Sequence, residues 1–397
     1  MVDNENQSEK TFSNELYCKM IEINPGIAQM EMYEFCYALN NITPPGGWNS
    51  VLIESKEEIE KKVNDRKFYD SIRIKDKVDD KVTLDPQIVI LTQQLIVGLN
   101  SNAFPIHWIQ KHFYFDIRGF FFLHRTEYFD QNIIEHLGGK PYLSYEKKQT
   151  RFETVQDIGY KAFKEANMEI DQALIETVGK LIPQMGTPLL IAIAGPTAAG
   201  KTEIVERLTE TFQKGKYKIT AIELDNFLTD RDYREEKGIF TQGKEALHFQ
   251  LLIKVLNDIS KGLKISIPRY DFVEATSSHD LEGNLKPGGI PIEIEPADII
   301  FIEGNFPFLL SEISSLIGLK IVYLTDDPIR LKRKWKRDID YRKKYEPSYF
   351  RNRYFKDQFI MAGIAYRPQM LLSDMVIDTT GAAVWISPKI LDLLNSK

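Results

Sequence analysis

The chain has 397 residues, with 51 Lys and Arg against 57 Asp and Glu, a formal net charge of −6, and 43% hydrophobic and 27% charged residues. That composition excludes the disordered, collagen-like and low-complexity classes, and the length predicts two or three packed domains. An acidic balance also argues against a dedicated nucleic-acid binder, which needs a clustered positive field.

The charge is distributed unevenly. Residues 1–50 carry two basic and seven acidic side chains, whereas 328–344 (PIRLKRKWKRDIDYRKK) carry nine basic and two acidic ones. Residues 1–15 are polar enough to predict a disordered tail, and they lack the basic start and apolar run of a leader peptide. Cys18 and Cys36 are the only cysteines and form no close pair, which points to a reducing compartment. The aromatic block GFFFLH at 119–124 is too short to span a bilayer, so a cytoplasmic protein with no membrane partner is expected.

Asp85-Pro86 supplies a cap and a first-turn proline before QIVILTQQLIVGLN, where Ile88, Leu91, Leu95 and Leu99 recur at helical spacing. Residues 104–129 are dense in aromatics and hold His107, His112 and His124 at spacings that favour packing over a metal face. An amphipathic stretch over about 153–183 runs into PQMGTP at 183–188, where proline and glycine predict a domain boundary. A separate N-terminal domain, mixed α+β or mainly α, is therefore expected over 16–183, and a second domain over 187–397.

In the second half, short apolar runs at 189–194, 217–224, 298–304, 319–324 and 374–378 alternate with helical patterns such as EALHFQLLIKVLNDISKG. Such runs, buried on both faces, predict an α/β fold with a parallel sheet, whose ligands bind at the carboxyl ends of the strands. The first run feeds into Gly195-Pro196-Thr197-Ala198-Ala199-Gly200-Lys201-Thr202 and then the helical EIVERLTETF. This is the G-x-x-x-x-G-K-[ST] phosphate loop in its strand–loop–helix setting. Its backbone N–H groups and the helix N-terminus would converge on a triphosphate, with Lys201 on the β/γ-phosphates and Thr202 on Mg²⁺.

The second strand ends in Glu223-Leu224-Asp225-Asn226-Phe227, which brings Asp225 to the edge of that loop. A carboxylate there can take the proton of an acceptor hydroxyl, or equally cap a turn. Glu303 closes DIIFIEG at the same edge, as a second ligand for Mg²⁺ or as a helix cap. Arg269-Tyr270-Asp271-Phe272 offers a stacking face, a hydroxyl and a carboxylate to an acceptor, or else a turn around a core aromatic. Helical spacing sets Arg330, Arg333, Lys334 and Arg337 along one face, suited to close over phosphates, to face solvent or to meet an anionic surface.

Together, GPTAAGKT, the LDNF strand end, PRYDF, FIEG and RLKRKWKRD resemble the uridine kinase and phosphoribulokinase family of P-loop kinases over about residues 187–380. The resemblance implies a P-loop NTPase fold with a five-stranded parallel sheet flanked by helices. It also implies Asp225 as catalytic base, an arginine-rich lid at Arg330, Arg333 and Arg337 with Arg342 beyond it, and Glu303 in the metal and phosphate region. The departures fall on the acceptor side. Leu228 stands for a tyrosine, Gln242-Gly243-Lys244 for an aspartate-histidine-proline triplet, Ala275 for a histidine, and Arg342-Lys343-Lys344 for arginine-glycine-arginine.

The expectation is an ATP- and Mg²⁺-dependent kinase transferring the γ-phosphoryl group to an alcohol of a nucleoside-like or sugar-like small molecule. Asp225, Lys201, Arg333 and Arg337 would be catalytic, Gly195 to Thr202 would bind the nucleotide, and Thr202 and Glu303 would hold the metal. Asp225, Arg269, Tyr270, Asp271, Arg330 and Arg342 would meet the acceptor. A nucleotide-binding regulatory module is the alternative, its N-terminal domain meeting a protein partner or a second copy. GPTAAGKT also looks like the loop of tRNA prenyltransferases, a lesser alternative because RYDF and the basic segment fit the kinase pattern.

Overall fold

The computed structural model describes residues 2–65, 68, 86–116, 120–146, 167–215, 217–239, 243–326, 329–330, 333–334, 337 and 361–396. The described residues form two compact units, one reaching Glu127 and the other built from Tyr128 onward.

The first unit is mainly helical. Its helices are α1 (Val2–Ile23), α2 (Met32–Asn40), α3 (Lys56–Val63), α4 (Pro86–Asn100) and α5 (Ile106–His112), followed by an antiparallel pair, β1 (Phe113–Asp116) and β2 (Phe121–His124). The predicted tail is instead the start of α1. Leu16 and Met20 are fully buried, and a helix fixed by its apolar end propagates into polar residues at little further cost. Lys19 Nζ donates to the carbonyls of Leu99 and Asn100 at 2.9 and 2.7 Å, closing the C-terminus of α4 with a cation. The expected helix at 86–100 is present with Ile88, Leu91, Leu95 and Leu99 buried; Asp85 lies outside the described residues. Phe115 and Phe122 meet edge-on at 5.0 Å, and His112 pairs with Glu60 at 3.5 Å. Among the described residues no group of metal-ligating side chains converges.

The second unit is α/β. Its elements are α6 (Gln131–His136), β3 (Leu143–Ser144), α7 (Met168–Met185), β4 (Leu189–Ala194), α8 (Lys201–Gln213), β5 (Ile219–Glu223), α9 (Arg231–Glu236) and α10 (Phe249–Ser260). Then come β6 (Ile265–Ile267), β7 (Tyr270–Asp271), β8 (Thr276–Ser277), β9 (Ile292–Ile294), β10 (Ile299–Gly304), α11 (Ser311–Ser314), β11 (Leu319–Leu324), α12 (Arg367–Met370), β12 (Met375–Asp378), β13 (Ala383–Ile386) and α13 (Pro388–Asn395).

The main sheet runs β3-β13-β12-β11-β4-β10-β5. Its five expected strands are parallel, and two antiparallel strands, β13 and β3, extend it beyond the five predicted. Strand periodicity divides the core. Leu190, Ala192, Ile300 and Ile302 face Leu252, Val255, Leu256 and Ile259 of α10. Leu189, Ile191, Ile193, Ile299 and Phe301 face α7 and α8, through residues such as Leu174, Val178, Leu181, Ile204 and Leu208. Each buried Leu, Ile, Val or Phe side chain contributes about 1.5–3 kcal/mol.

The predicted boundary at 183–188 therefore falls inside the α/β unit. Helix α7 covers one face of the sheet, and Ile133 of α6 with Leu137 at its C-cap joins the core on the other. The chain does break at Gly186, the C-cap of α7. That break separates a helix from a strand within one core.

Candidate active site

Strand β4 ends at Ala194, and the loop of residues 195–200 turns the chain into α8, whose first residue is Lys201. A side chain at Gly195 would bring its Cβ to 2.2 Å from the carbonyl oxygen of Tyr323, so only glycine fits against β11. Gly200 sits at φ +106°, in the left-handed region that glycine tolerates. Lys201 Nζ donates to the carbonyls of Gly195 and Pro196 at 3.0 and 3.1 Å and to Asn305 Oδ1 at 3.3 Å. Burial lowers the Lys201 pKa, while the nearby carboxylates of Glu303 and Asp225 act to raise it.

Thr202 Oγ1 donates to Glu303 Oε1 at 2.8 Å, with Oε2 at 3.1 Å. Glu303 occupies the fifth position of β10 and is 6% exposed. Burial pushes its carboxyl up to about 7, against the pull of Lys201 and Thr202. Leu310, not Glu303, stands at the cap of the next helix, α11. A hydroxyl and a carboxylate on adjoining elements fit a Mg²⁺ that keeps waters and takes phosphate oxygens as its other ligands.

Asp225 lies in a single 3₁₀ turn, Leu224–Phe227, directly after β5. It is partly exposed, and its charge acts on both Lys201 and Glu303. The following helix, α9, has Asp230 at its cap position, so Asp225 does not cap it.

The arginines gather on the outer side of the loop. Arg330 is 1% exposed and donates to Thr325 O, Thr197 O and Tyr128 Oη at 3.1, 3.2 and 3.2 Å. Its guanidinium thereby ties the loop at Thr197 to the segment after β11 and to Tyr128. Arg337 donates to Thr197 Oγ1 at 3.1 Å and Arg333 to Ala199 O at 3.4 Å. Arg342 and Gln242 lie outside the described residues.

The RYDF segment is occupied with its own turn. The Tyr270 hydroxyl donates to Ala275 O at 3.0 Å and accepts from Arg234 at 2.8 Å, with both side chains buried. Asp271 Oδ1 accepts from the backbone N–H groups of Val273 and Glu274 at 2.8 and 3.0 Å, closing a turn. The Arg269 backbone N–H donates to Ser278 Oγ at 2.9 Å, and its side chain is exposed. These contacts give Tyr270 and Asp271 structural tasks in the β7–β8 hairpin.

Two residues not anticipated from sequence support the site. Asn305 follows FIEG at the carboxyl end of β10 and meets the Lys201 ammonium. Its position at a strand end was a usable signal. Gln369 is fully buried, donates to Asn305 O at 2.9 Å and accepts from Phe308 N–H at 3.3 Å, fixing the turn that carries Asn305. Gln369 also donates to Ala365 O at 3.1 Å within its own helical segment, but nothing local marks its bonds to Asn305 and Phe308, which lie far upstream.

A cradle of backbone and ammonium, the Thr202–Glu303 oxygen pair and the partly exposed Asp225 carboxylate thus share one sheet edge, an arrangement suited to phosphoryl transfer. The sequence model of the phosphoribulokinase/uridine kinase family matches residues 190–382. The uridine kinase of Clostridium novyi is 32% identical over 158 residues, covering 39% of this chain and 70% of that protein. The uridine-cytidine kinase 2-B of Danio rerio is 30% identical over 165 residues, covering 39% and 59%. A solved phosphoribulokinase from Rhodobacter spheroides aligns at 18% identity with a TM-score of 0.35, over 49% of this chain and 70% of that one. Among the described residues no helix is long and apolar enough to cross a membrane. With the family model matching residues 190–382 and a relative 32% identical over 70% of its length, the chain belongs to the phosphoribulokinase/uridine kinase family of P-loop kinases.

Proposed function

We propose that the α/β unit transfers the γ-phosphoryl group of ATP to an alcohol hydroxyl of a nucleoside-like or sugar-like small molecule. The observation that carries this reading is the convergence of Lys201, the Thr202–Glu303 pair and Asp225 at one sheet edge. Asp225 accepts the proton of the acceptor hydroxyl as its oxygen bonds to the γ-phosphorus. The bond from that phosphorus to the β–γ bridging oxygen breaks, and ADP leaves. Lys201 and the arginines Arg333 and Arg337 hold the charge that spreads over the transferred group. Mg²⁺ bound at Thr202 and Glu303 would neutralise the β- and γ-oxygens.

A second reading, a nucleotide-binding regulatory module, draws support from the internal engagement of Tyr270 and Asp271. The departures at Leu228 and Ala275 point to an acceptor other than the usual nucleoside.

The test is ADP formation by the full chain with Mg-ATP against a panel of nucleosides, sugars, sugar phosphates and vitamin alcohols. Turnover that depends on one acceptor and is lost in Asp225→Asn supports the kinase. Tight ATP binding with no acceptor-dependent turnover across the panel supports the regulatory module instead.

A further inference from the structure

We propose that Asp171 is a positioning residue for nucleotide binding, holding Tyr323 beneath the phosphate loop from a helix that lies outside the span matched by the family. The inference rests on the nucleotide reading above and adds a residue to it.

Asp171 lies in the first turn of α7 and is 5% exposed. A buried carboxylate is costly unless each oxygen finds a partner. Here Oδ1 accepts from the Tyr323 hydroxyl at 2.7 Å and Oδ2 pairs with the Arg207 guanidinium. Neither partner is placed at random. Tyr323 is the fifth residue of β11, and its carbonyl oxygen is the atom that a Cβ at Gly195 would strike. Its ring also lies 3.6 Å from the Cβ position of Gly200. One side chain and its own backbone therefore touch both glycines that frame the loop.

Arg207 belongs to α8, the helix whose N-terminus faces the phosphates. Through one carboxylate, Asp171 ties together the strand behind the loop and the helix in front of it. Arg333, which donates to Ala199 O, lies within the field of the same carboxylate. Loss of the Tyr323 bond frees the ring to shift under Gly200, and the N–H groups that should converge on phosphate lose their fixed spacing. In a preorganised cradle such a shift weakens binding even when the fold survives.

The experiment is titration of wild-type and variant full-length protein with a fluorescent ATP analogue in Mg²⁺, with thermal unfolding recorded in parallel. Tyr323→Phe, which removes one oxygen, and Asp171→Asn should each weaken binding about ten-fold. The double variant should bind no more weakly than Asp171→Asn alone, because Tyr323→Phe removes only a bond that the Asp171 change already weakens. Thr177→Val removes a buried hydroxyl of the same helix, which donates to Ala173 O at 2.7 Å within that helix, and should leave the affinity unchanged.

Wild-type affinity in Tyr323→Phe and Asp171→Asn overturns the proposal while leaving the nucleotide reading intact. Equal weakening by Thr177→Val also overturns it, because the effect would then belong to the stability of α7. Wild-type protein that binds no analogue overturns the nucleotide reading, and this inference falls with it.

Discussion

The Thr202 hydroxyl and the Glu303 carboxylate face each other across 2.8 Å, one from the first turn of α8 and one from the end of β10. Two elements remote in sequence thus present a paired oxygen site where the triphosphate would lie. Glu303→Gln keeps the size and the hydrogen bond but removes the charge. It should raise the Mg²⁺ concentration needed for half-maximal turnover and lower kcat by about ten-fold or more. Turnover measured across a Mg²⁺ titration at saturating ATP checks this, and an unchanged metal requirement would sink the assignment.

Asp225→Asn should reduce acceptor-dependent ADP formation by about 10²–10⁴-fold, the usual contribution of a general base. ATP affinity should stay near wild type, since the change lies beyond the loop itself. Steady-state turnover together with analogue binding separates the two effects.

Arg330 and Arg337 should fail differently. Arg330 is fully buried with bonds to Thr325, Thr197 and Tyr128, so Arg330→Met should destabilise the α/β unit by about 3 kcal/mol and lower its unfolding midpoint. Arg337 donates to Thr197 Oγ1 at 3.1 Å, and Arg337→Ala should lower kcat with a smaller loss of stability. Thermal unfolding of both variants beside their kinetics reads the contrast.

His248 supplies a pH dependence. Burial, together with the neighbouring His279 and Lys286, depresses its pKa to about 4, while Asp230 and Asp280 oppose the shift. The folded state therefore holds this imidazole neutral, and unfolding takes up a proton wherever the pH lies between about 4 and the free value near 6.5. The stabilisation is complete above about 6.5 and is lost as pH falls towards 4, amounting to about 1–3 kcal/mol. Denaturant midpoints at pH 7, 5.5 and 4.5 should fall more steeply for wild type than for His248→Gln. Parallel slopes would reject the assignment.

The sequence was most informative where chemistry is local. The loop from Gly195 to Thr202, and the carboxylates Asp225 and Glu303 at strand ends, follow from short patterns, because the backbone places a strand-terminal residue at the sheet edge whatever lies elsewhere. The five parallel strands were legible for the same reason, each being a short apolar run between helical patterns. Periodicity reveals that a helix such as α7 is amphipathic, but not which core receives its apolar face. Hence the boundary placed at 183–188 and the strand β3, whose partner β13 lies far downstream, could not be read. Tyr270 shows the converse limit. A motif gives a residue's type and place, while its hydroxyl is spent on Arg234 and Ala275 through contacts that no local pattern encodes.

Strand β3 is only two residues long, yet it sits on the outer margin of the sheet against β13. The backbone N–H groups of Tyr142 and Tyr145 donate to Val384 O and Ala382 O at 2.8 Å, so the upstream segment satisfies carbonyls that β13 would otherwise present to solvent. An open margin carrying Ala383, Val384 and Ile386 is a template for pairing with another chain. Loss of the pairing at Leu143 and Ser144 would therefore bare a margin prone to self-association, which makes this short strand a guard against aggregation.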